Sequence, residues 1–159
     1  MCAMPSGPQV RFLCDQNLGR LAKWLRILGF DTEYMRRDSD ERMRRAMASG
    51  RIVLTRRSST PPSTSVHVIV HDRVQDQLRQ LGMIYDLSPG ASAFSRCTRC
   101  NAPLEEAHPD AVKGLVPDYV HATQASFARC FSCGRIYWKG THTMRICDRV
   151  KSVLETIRP

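Results

Sequence analysis

Two cysteine pairs are the residues of this sequence with the clearest chemistry. The segments CTRC (97–100) and CFSC (130–133) are separated by 29 residues. Two residues between cysteines let both sulfurs of a pair face one tetrahedral ion at a Zn–S distance of about 2.3 Å. The spacing predicts one structural Zn²⁺, since four thiolates leave no open coordination position for catalysis. The predicted ligands are Cys97, Cys100, Cys130 and Cys133.

The remaining cysteines stand alone in the sequence. Seven cysteines are present, and Cys2, Cys14 and Cys147 belong to no pair. A secreted disulfide framework would leave one thiol over. The first ten residues, MCAMPSGPQV, also lack the basic and apolar regions of a secretory signal. We therefore expect a reducing compartment, either the cytosol or an organelle matrix.

Basic side chains stand beside aromatic ones in the segment GRIYWKGTH (134–142). Stacking combined with positive charge is a common way to hold single-stranded RNA. The basic candidates for RNA contact are Arg135, Lys139 and His142. The aromatic residues Tyr137 and Trp138 either stack on bases or cover the small zinc module.

A second basic series recurs every three residues beside a stripe of leucines in the segment 18–28. Arg20, Lys23 and Arg26 either form a solvated helix face or follow the phosphates of an RNA. Trp24, in the same segment, either packs in the core or stacks on a base.

Alternating strand and helix patterns must position these residues. Short apolar runs predict strands, and apolar residues at three- and four-residue steps predict helices. The predicted order is strand 10–14, a helix stopping at Gly29, strand 32–34, a helix capped by Asp38 or Ser39 and stopping at Gly50, strands 51–55 and 66–70, and a helix from Val74 to Gly82. This alternation indicates an α/β fold with a mostly parallel sheet. The strands then end at one edge, where such sheets bind ligands.

The character of the chain changes after residue 90. We predict an α/β domain over 1–90, a zinc ribbon over 91–145 and a terminal helix over 146–159. Apolar residues make up 42 % of the chain, enough for a core, but no run approaches the ~18 residues of a membrane span. The formal net charge is +9, and arginine heavily outnumbers lysine. This charge favours a polyanionic partner, RNA above all.

Longer blocks of the sequence resemble the Mut-seven C-terminal RNase domain family. They are FLCDQNLGRLAKWLRILGFDTEY, RIVLT, FSRCTRCNAPL and CFSCGRIYWKGTH, in the same order and from Val10 to His142. The resemblance implies a PIN-like nuclease domain, a three-layer fold around a parallel sheet, with a C-terminal zinc ribbon. It also implies a metal-dependent endoribonuclease, in which carboxylates at the sheet edge hold Mg²⁺ or Mn²⁺.

Four aspartates are the candidates for that catalytic site. Asp15 ends the first strand and is the expected principal Mg²⁺ or Mn²⁺ ligand. Asp38, Asp40 and Asp72 are the expected assisting carboxylates. Each has a structural alternative, since Asp15 and Asp38 also suit a helix cap, and acids are favoured in the first turn of a helix.

One departure from the family pattern bears on activity. The family usually reads LTRD after the third strand, and this chain reads LTRR (54–57). Arg57 therefore stands where a metal ligand is expected, and Arg56 and Arg57 suit a phosphate instead. The expected function is a metal-dependent endoribonuclease weakened by Arg57. The alternatives are an RNA- or ribosome-associated module that does not cut RNA, and a zinc-dependent protein-interaction module.

Overall fold

A computed structural model describes residues 10–37, 39–61, 63–88 and 92–155, without the side chains of His142 and Leu154. The first half contains β1 (Arg11–Cys14), α1 (Gly19–Ile27), β2 (Thr32–Tyr34), α2 (Asp40–Ala48), β3 (Arg51–Thr55), β4 (Val66–Val68) and α3 (Val74–Gly82). The second half contains β5 (Glu105–Ala107), α4 (Pro109–Val112), α5 (Asp118–Thr123), β6 (Phe127–Arg129), β7 (Ile136–Trp138) and α6 (Thr141–Glu155).

The first four strands form one sheet in the order β2-β1-β3-β4, with every neighbouring pair parallel. Side chains alternate across it, so that Phe12 and Cys14 face one layer while Leu13 faces the other. The first layer contains α1, α3 and α6, and the second contains α2. The predicted three-layer α/β fold is confirmed.

The strands of this sheet end together, as the parallel arrangement requires. We call the residues that follow β1, β2, β3 and β4 the strand-end edge; they include Asp15, Arg36, Arg56 and Asp72. Helix α2 begins at the same edge, where the Ser39 hydroxyl accepts a hydrogen bond from the backbone N–H of Arg42 at 3.2 Å. Ser39 is therefore the N-cap of α2. Asp38, the other predicted cap, lies outside the described residues.

A second sheet of three antiparallel strands, in the order β5-β6-β7, was not predicted. Each strand has only three residues, too few for a periodic signal. With α4, α5 and the two cysteine turns, it forms the zinc-ribbon part of the chain, here called the ribbon (92–138). Its small core includes Val112, Val116, Val120 and Phe127.

Helix α6 begins at Thr141 rather than at the predicted Ile146. Val150 and Val153 of this helix are buried in the same core as α1 and α3. Helix α6 thus packs in the helical layer beside α3 rather than in the ribbon core. Within the described residues, no helix is both long and apolar enough to cross a membrane.

Candidate functional site

The two cysteine pairs form matching turns. The N–H that follows each pair donates to the carbonyl of its first cysteine, from Asn101 to Cys97 at 2.9 Å and from Gly134 to Cys130 at 2.7 Å. Asn101 and Gly134 have φ angles of 68° and 74°. Glycine adopts this left-handed backbone without steric cost, and asparagine tolerates it better than most residues. The equivalent backbone role of Asn101 was not predicted from the sequence.

The four sulfurs lie close enough to share one ion. All four Sγ atoms are within 4.8 Å of one another. Cys97 and Cys133 are separated by 3.7 Å, and Cys100 and Cys130 by 3.3 Å. Sulfurs at the corners of a Zn²⁺ tetrahedron are about 3.8 Å apart, which follows from the Zn–S bond length. The predicted cluster can therefore hold a zinc ion. It is the one group of three or more potential ligands found in the described part of the chain.

Tyr137 supports the cluster from β7. Its hydroxyl lies 3.1 Å from Cys97 Sγ and accepts the backbone N–H of Thr98 at 3.1 Å. Burial opposes ionisation of the Cys97 thiol, but hydrogen bonds from Tyr137 and from two backbone N–H groups lower the pKa of Cys97 to about 6. These contacts thus favour the thiolate form of Cys97, which is the form that binds metal. The Tyr137 hydroxyl therefore contacts the zinc module, which agrees with the interpretation that this residue covers the module.

Arg26 does not take the RNA-binding position suggested by its spacing on α1. The residue is only 7 % exposed. Its Nε donates to the Thr32 carbonyl at 2.8 Å, and Nη1 donates to the carbonyls of Thr98 and Arg99 at 3.1 and 3.0 Å. Two of these carbonyls belong to the first cysteine turn. Arg26 therefore joins α1 and β2 to the metal cluster, and its burial removes it from the set of RNA contacts.

Asn101 makes a second connection between the sheet and the ribbon. Its Oδ1 accepts the backbone N–H of Thr32 at 2.9 Å, and its Nδ2 donates to Asp31 Oδ1 at 2.7 Å. Asp31 also pairs with Arg51 at 2.8 Å, and both charged side chains are mostly buried. Burial opposes ionisation of Asp31, but hydrogen bonds from Arg51 and Asn101 outweigh it and hold the pKa of Asp31 below its usual range.

Replacing Asp31 should therefore destabilise the protein in a pH-dependent way. We expect Asp31→Asn to lower the free energy of unfolding by about 2 kcal/mol near neutral pH, since a charged hydrogen bond is lost. The folded pKa lies below the ordinary 3.8, so the stabilisation is complete above this pH and fades as the pH falls below it. Urea unfolding of both proteins across the acid range measures the difference.

The exposed Asp118→Asn variant is the control for the charge change alone. Protonation of the zinc thiolates affects the unmodified protein and Asp31→Asn alike, so it cancels in the difference between their free energies of unfolding. If Asp31→Asn lowered the free energy of unfolding as much well below pH 3.8 as at neutral pH, the lowered pKa of Asp31 would be contradicted.

Asp15 lies at the strand-end edge, as predicted, but it is only 1 % exposed. Its Oδ2 accepts the Thr55 hydroxyl at 2.8 Å and the Arg56 backbone N–H at 2.7 Å. Its Oδ1 accepts the Asn17 backbone N–H at 3.0 Å. Two carboxylate oxygens accept about four hydrogen bonds, so three of these positions are occupied by the protein itself. The carboxylate ties the end of β1 to the end of β3.

Arginines hold the two assisting carboxylates that the structure describes. Arg57 Nη1 lies 2.8 Å from Asp40 Oδ1, and Arg56 Nη2 lies 2.6 Å from Asp72 Oδ1. Among the described residues, Asp40 and Asp72 do not join Asp15 in a group that could hold a metal. The predicted carboxylate cluster is therefore not found in this part of the chain. Asp38 lies outside it.

Further basic side chains surround the strand-end edge. Arg20 is exposed in the first turn of α1, and Arg36 and Arg37 are exposed shortly after β2. Arg36 and Arg37 were not among the predicted site residues. Their position after a predicted parallel strand was the signal that could have identified them.

The remaining RNA-binding candidates are divided between two places. Lys23 and Lys139 are exposed and line one groove, together with Trp24 and Trp138. Arg135 is exposed in the ribbon and is not part of the groove lining. The side chain of His142 lies outside the described atoms.

Comparison with known proteins places the chain in a family. Residues 10–150 match the family model described as the Mut7-C RNAse domain. No curated protein and no solved structure gave a significant match. The match covers both the parallel sheet and the cysteine cluster, and it indicates a nuclease-related or RNA-related role. The chain belongs to the Mut7-C RNase domain family.

Proposed function

We propose that the protein binds RNA at the strand-end edge through arginine side chains, without cutting the RNA. The observation that carries this proposal is the arrangement of Arg56 and Arg57, whose guanidinium groups hold Asp72 and Asp40. These carboxylates would otherwise be free to bind a divalent cation. A guanidinium placed among them favours a phosphate over a metal ion, because it offers a planar, bidentate donor set.

The ion pairs at this edge are weak enough for RNA to compete with them. The side chain of Asp72 is 89 % exposed and that of Asp40 is 75 % exposed. Exposed pairs of this kind contribute only about 0–1 kcal/mol. A phosphate group can therefore replace either aspartate, and Arg20, Arg36 and Arg37 add positive charge nearby. The net charge of +9 draws a polyanion toward the protein.

The second candidate is a metal-dependent endoribonuclease, and the position of Asp15 favours it. This carboxylate follows the central strand β1 and has about one acceptor position left on Oδ1. If RNA drew the arginines away, Asp40 and Asp72 would be released beside the same edge. Mg²⁺ or Mn²⁺ held there would activate water and stabilise charge on the phosphate. Zn²⁺ in the cysteine cluster has no part in this chemistry, because four thiolates fill its coordination.

A salt-dependent binding assay tests the first proposal. We expect the double variant Arg56→Gln/Arg57→Gln to bind labelled single-stranded RNA more weakly than the unmodified protein. Two lost phosphate contacts should lower the slope of log K against log salt by about 1.4. The control Arg44→Gln/Arg45→Gln removes the same charge from the exposed face of α2. Equal losses in both double variants would mean that the edge is not the site.

Incubation with RNA and Mn²⁺ separates the two candidates. The unmodified protein and Asp15→Asn are followed by gel electrophoresis of end-labelled RNA. We expect no cleavage that depends on Asp15. Fragments that appear with the unmodified protein, but not with Asp15→Asn or in the presence of a chelator, would replace the first proposal by the endoribonuclease.

A further inference from the structure

A wide groove separates α1 from the ribbon. It has a volume of about 930 Å³ and is bounded by α1, the strands β6 and β7 and the beginning of α6. A cavity of this size can enclose most of a ligand as large as a drug molecule. No cysteine of the cluster and no aspartate of the strand-end edge is part of its lining. Thr98 and Tyr137, which lie beside Cys97, do line it.

The charge of the groove is strongly unbalanced. Its lining includes five basic residues, namely Lys23, Arg96, Lys139, Arg145 and Arg149, and one acidic residue, Glu106. Arg96 takes part in the Asp31 network. In the described part of the chain, the other four basic side chains form no ion pair. Such a surface suits a polyanion, since each phosphate contact also releases condensed counterions.

The groove also contains the aromatic surface that nucleobases need. Both tryptophans of the chain, Trp24 and Trp138, are part of its lining. Trp24 packs against the main core but remains partly exposed, and Trp138 is 37 % exposed. Bases of any type stack on such rings, so the contact needs no particular sequence. Positive charge beside exposed aromatics favours an unpaired nucleic-acid strand over an acidic peptide.

One face of α1 connects the groove with the strand-end edge. The spacing i, i+3, i+4 and i+7 places four residues on the same side of α1, namely Arg20, Lys23, Trp24 and Ile27. Arg20 lies in the first turn, beside the edge, and the other three residues line the groove. A helix of nine residues is about 13 Å long, so the two surfaces are neighbours.

We propose that this groove holds a single-stranded segment of the RNA that the strand-end edge binds. Bases stack on Trp24 and Trp138, and phosphates contact Lys139, Arg145 and Arg149. A duplex is a poor ligand here, because its bases are already stacked on one another and cannot reach the rings. This inference rests on the proposed RNA-binding function and assigns the strand to a place in the fold.

Tryptophan fluorescence reports on the groove directly, because both tryptophans line it. The full chain is titrated with labelled single-stranded RNA at low salt, and RNA anisotropy and tryptophan emission are recorded together. We expect quenching to follow binding with the same dissociation constant. Trp138→Leu should weaken binding by about tenfold through loss of stacking. Arg145→Gln/Arg149→Gln should lower the salt slope by about 1.4.

A matched control and two other ligands make the test decisive. Lys113→Gln/Lys151→Gln removes equal charge from exposed positions outside the groove and should change binding less. RNA binding without quenching, or equal losses in both double variants, overturns the groove assignment and leaves the edge proposal standing. Equal quenching by duplex RNA overturns the single-strand assignment, and stronger quenching by polyglutamate overturns it in favour of an acidic protein. Absence of any RNA binding overturns both proposals.

Discussion

Removal of zinc is expected to unfold the ribbon. The ribbon has a small apolar core of its own, built around Val112, Val116, Val120 and Phe127. This core is too small to stabilise the ribbon alone, and metal binding adds the rest, with apparent energies of about 10–16 kcal/mol in isolated zinc-finger peptides. We expect a strong chelator to abolish amide protection in β6 and β7. The first sheet and the helices packed on it should retain more amide protection, because their core is larger than that of the ribbon.

Metal analysis and hydrogen exchange measure this effect. The purified protein should contain one zinc ion per chain, and Cys100→Ser should lose it together with the protection of β6. Cys147→Ser is the matched control, since Cys147 lies on α6 and outside the cluster. Protection of β6 that survives complete zinc removal would show that the ribbon folds without metal and would contradict the prediction.

The substitution Gly29→Ala is expected to separate the ribbon from α1. Gly29 has a φ of +93°, and an added Cβ would lie 2.1 Å from the backbone oxygen of Ser92. That oxygen belongs to the segment that docks here, where the Phe94 N–H donates to the Ile27 carbonyl at 2.7 Å. Left-handed strain costs about 1 kcal/mol and overpacking about 1–3 kcal/mol, so we expect a loss of about 2–4 kcal/mol.

Gly114→Ala separates the clash from the backbone strain. Gly114 has a φ of +77°, but an added Cβ would meet no atom within 4 Å. This control should cost about 1 kcal/mol, the strain alone. Urea unfolding with zinc present gives both values. Gly29→Ala should also change tryptophan emission, because Trp24 and Trp138 line the same groove as Phe94 of the docked segment. Equal destabilisation by the two substitutions would contradict close docking at Gly29.

Elements with a strong local pattern could be predicted from the sequence. The bounds of β2 and β3 were predicted correctly, because apolar runs between polar turns mark buried strands. Strand β4 ends at Val68, two residues before the predicted end, and the three short ribbon strands were missed. Pairing between distant segments stabilises such short strands, so their own residues carry little signal.

The cysteine cluster was the part of the candidate sites that sequence spacing determined. Two residues between cysteines fix the local turn, and the shared metal geometry then brings both turns together. The sequence also placed Asp15 and Arg57 at the ends of two parallel strands. Spacing alone could not show that Arg57 holds Asp40, because that contact joins segments 17 residues apart.

The tertiary structure decided what the remaining charged residues do. Arg26 shares its helix and its three-residue spacing with Lys23, yet one is buried against the first cysteine turn and the other is exposed in the groove. Asn101 became a connection to the sheet only because the ribbon docks there. Periodicity specifies a helix face, but the partner that covers the face comes from a distant segment. The sequence by itself therefore determined the family, the layers and the four cysteines that could hold zinc, whereas docking of the ribbon on α1 decided which cations of this helix stay exposed.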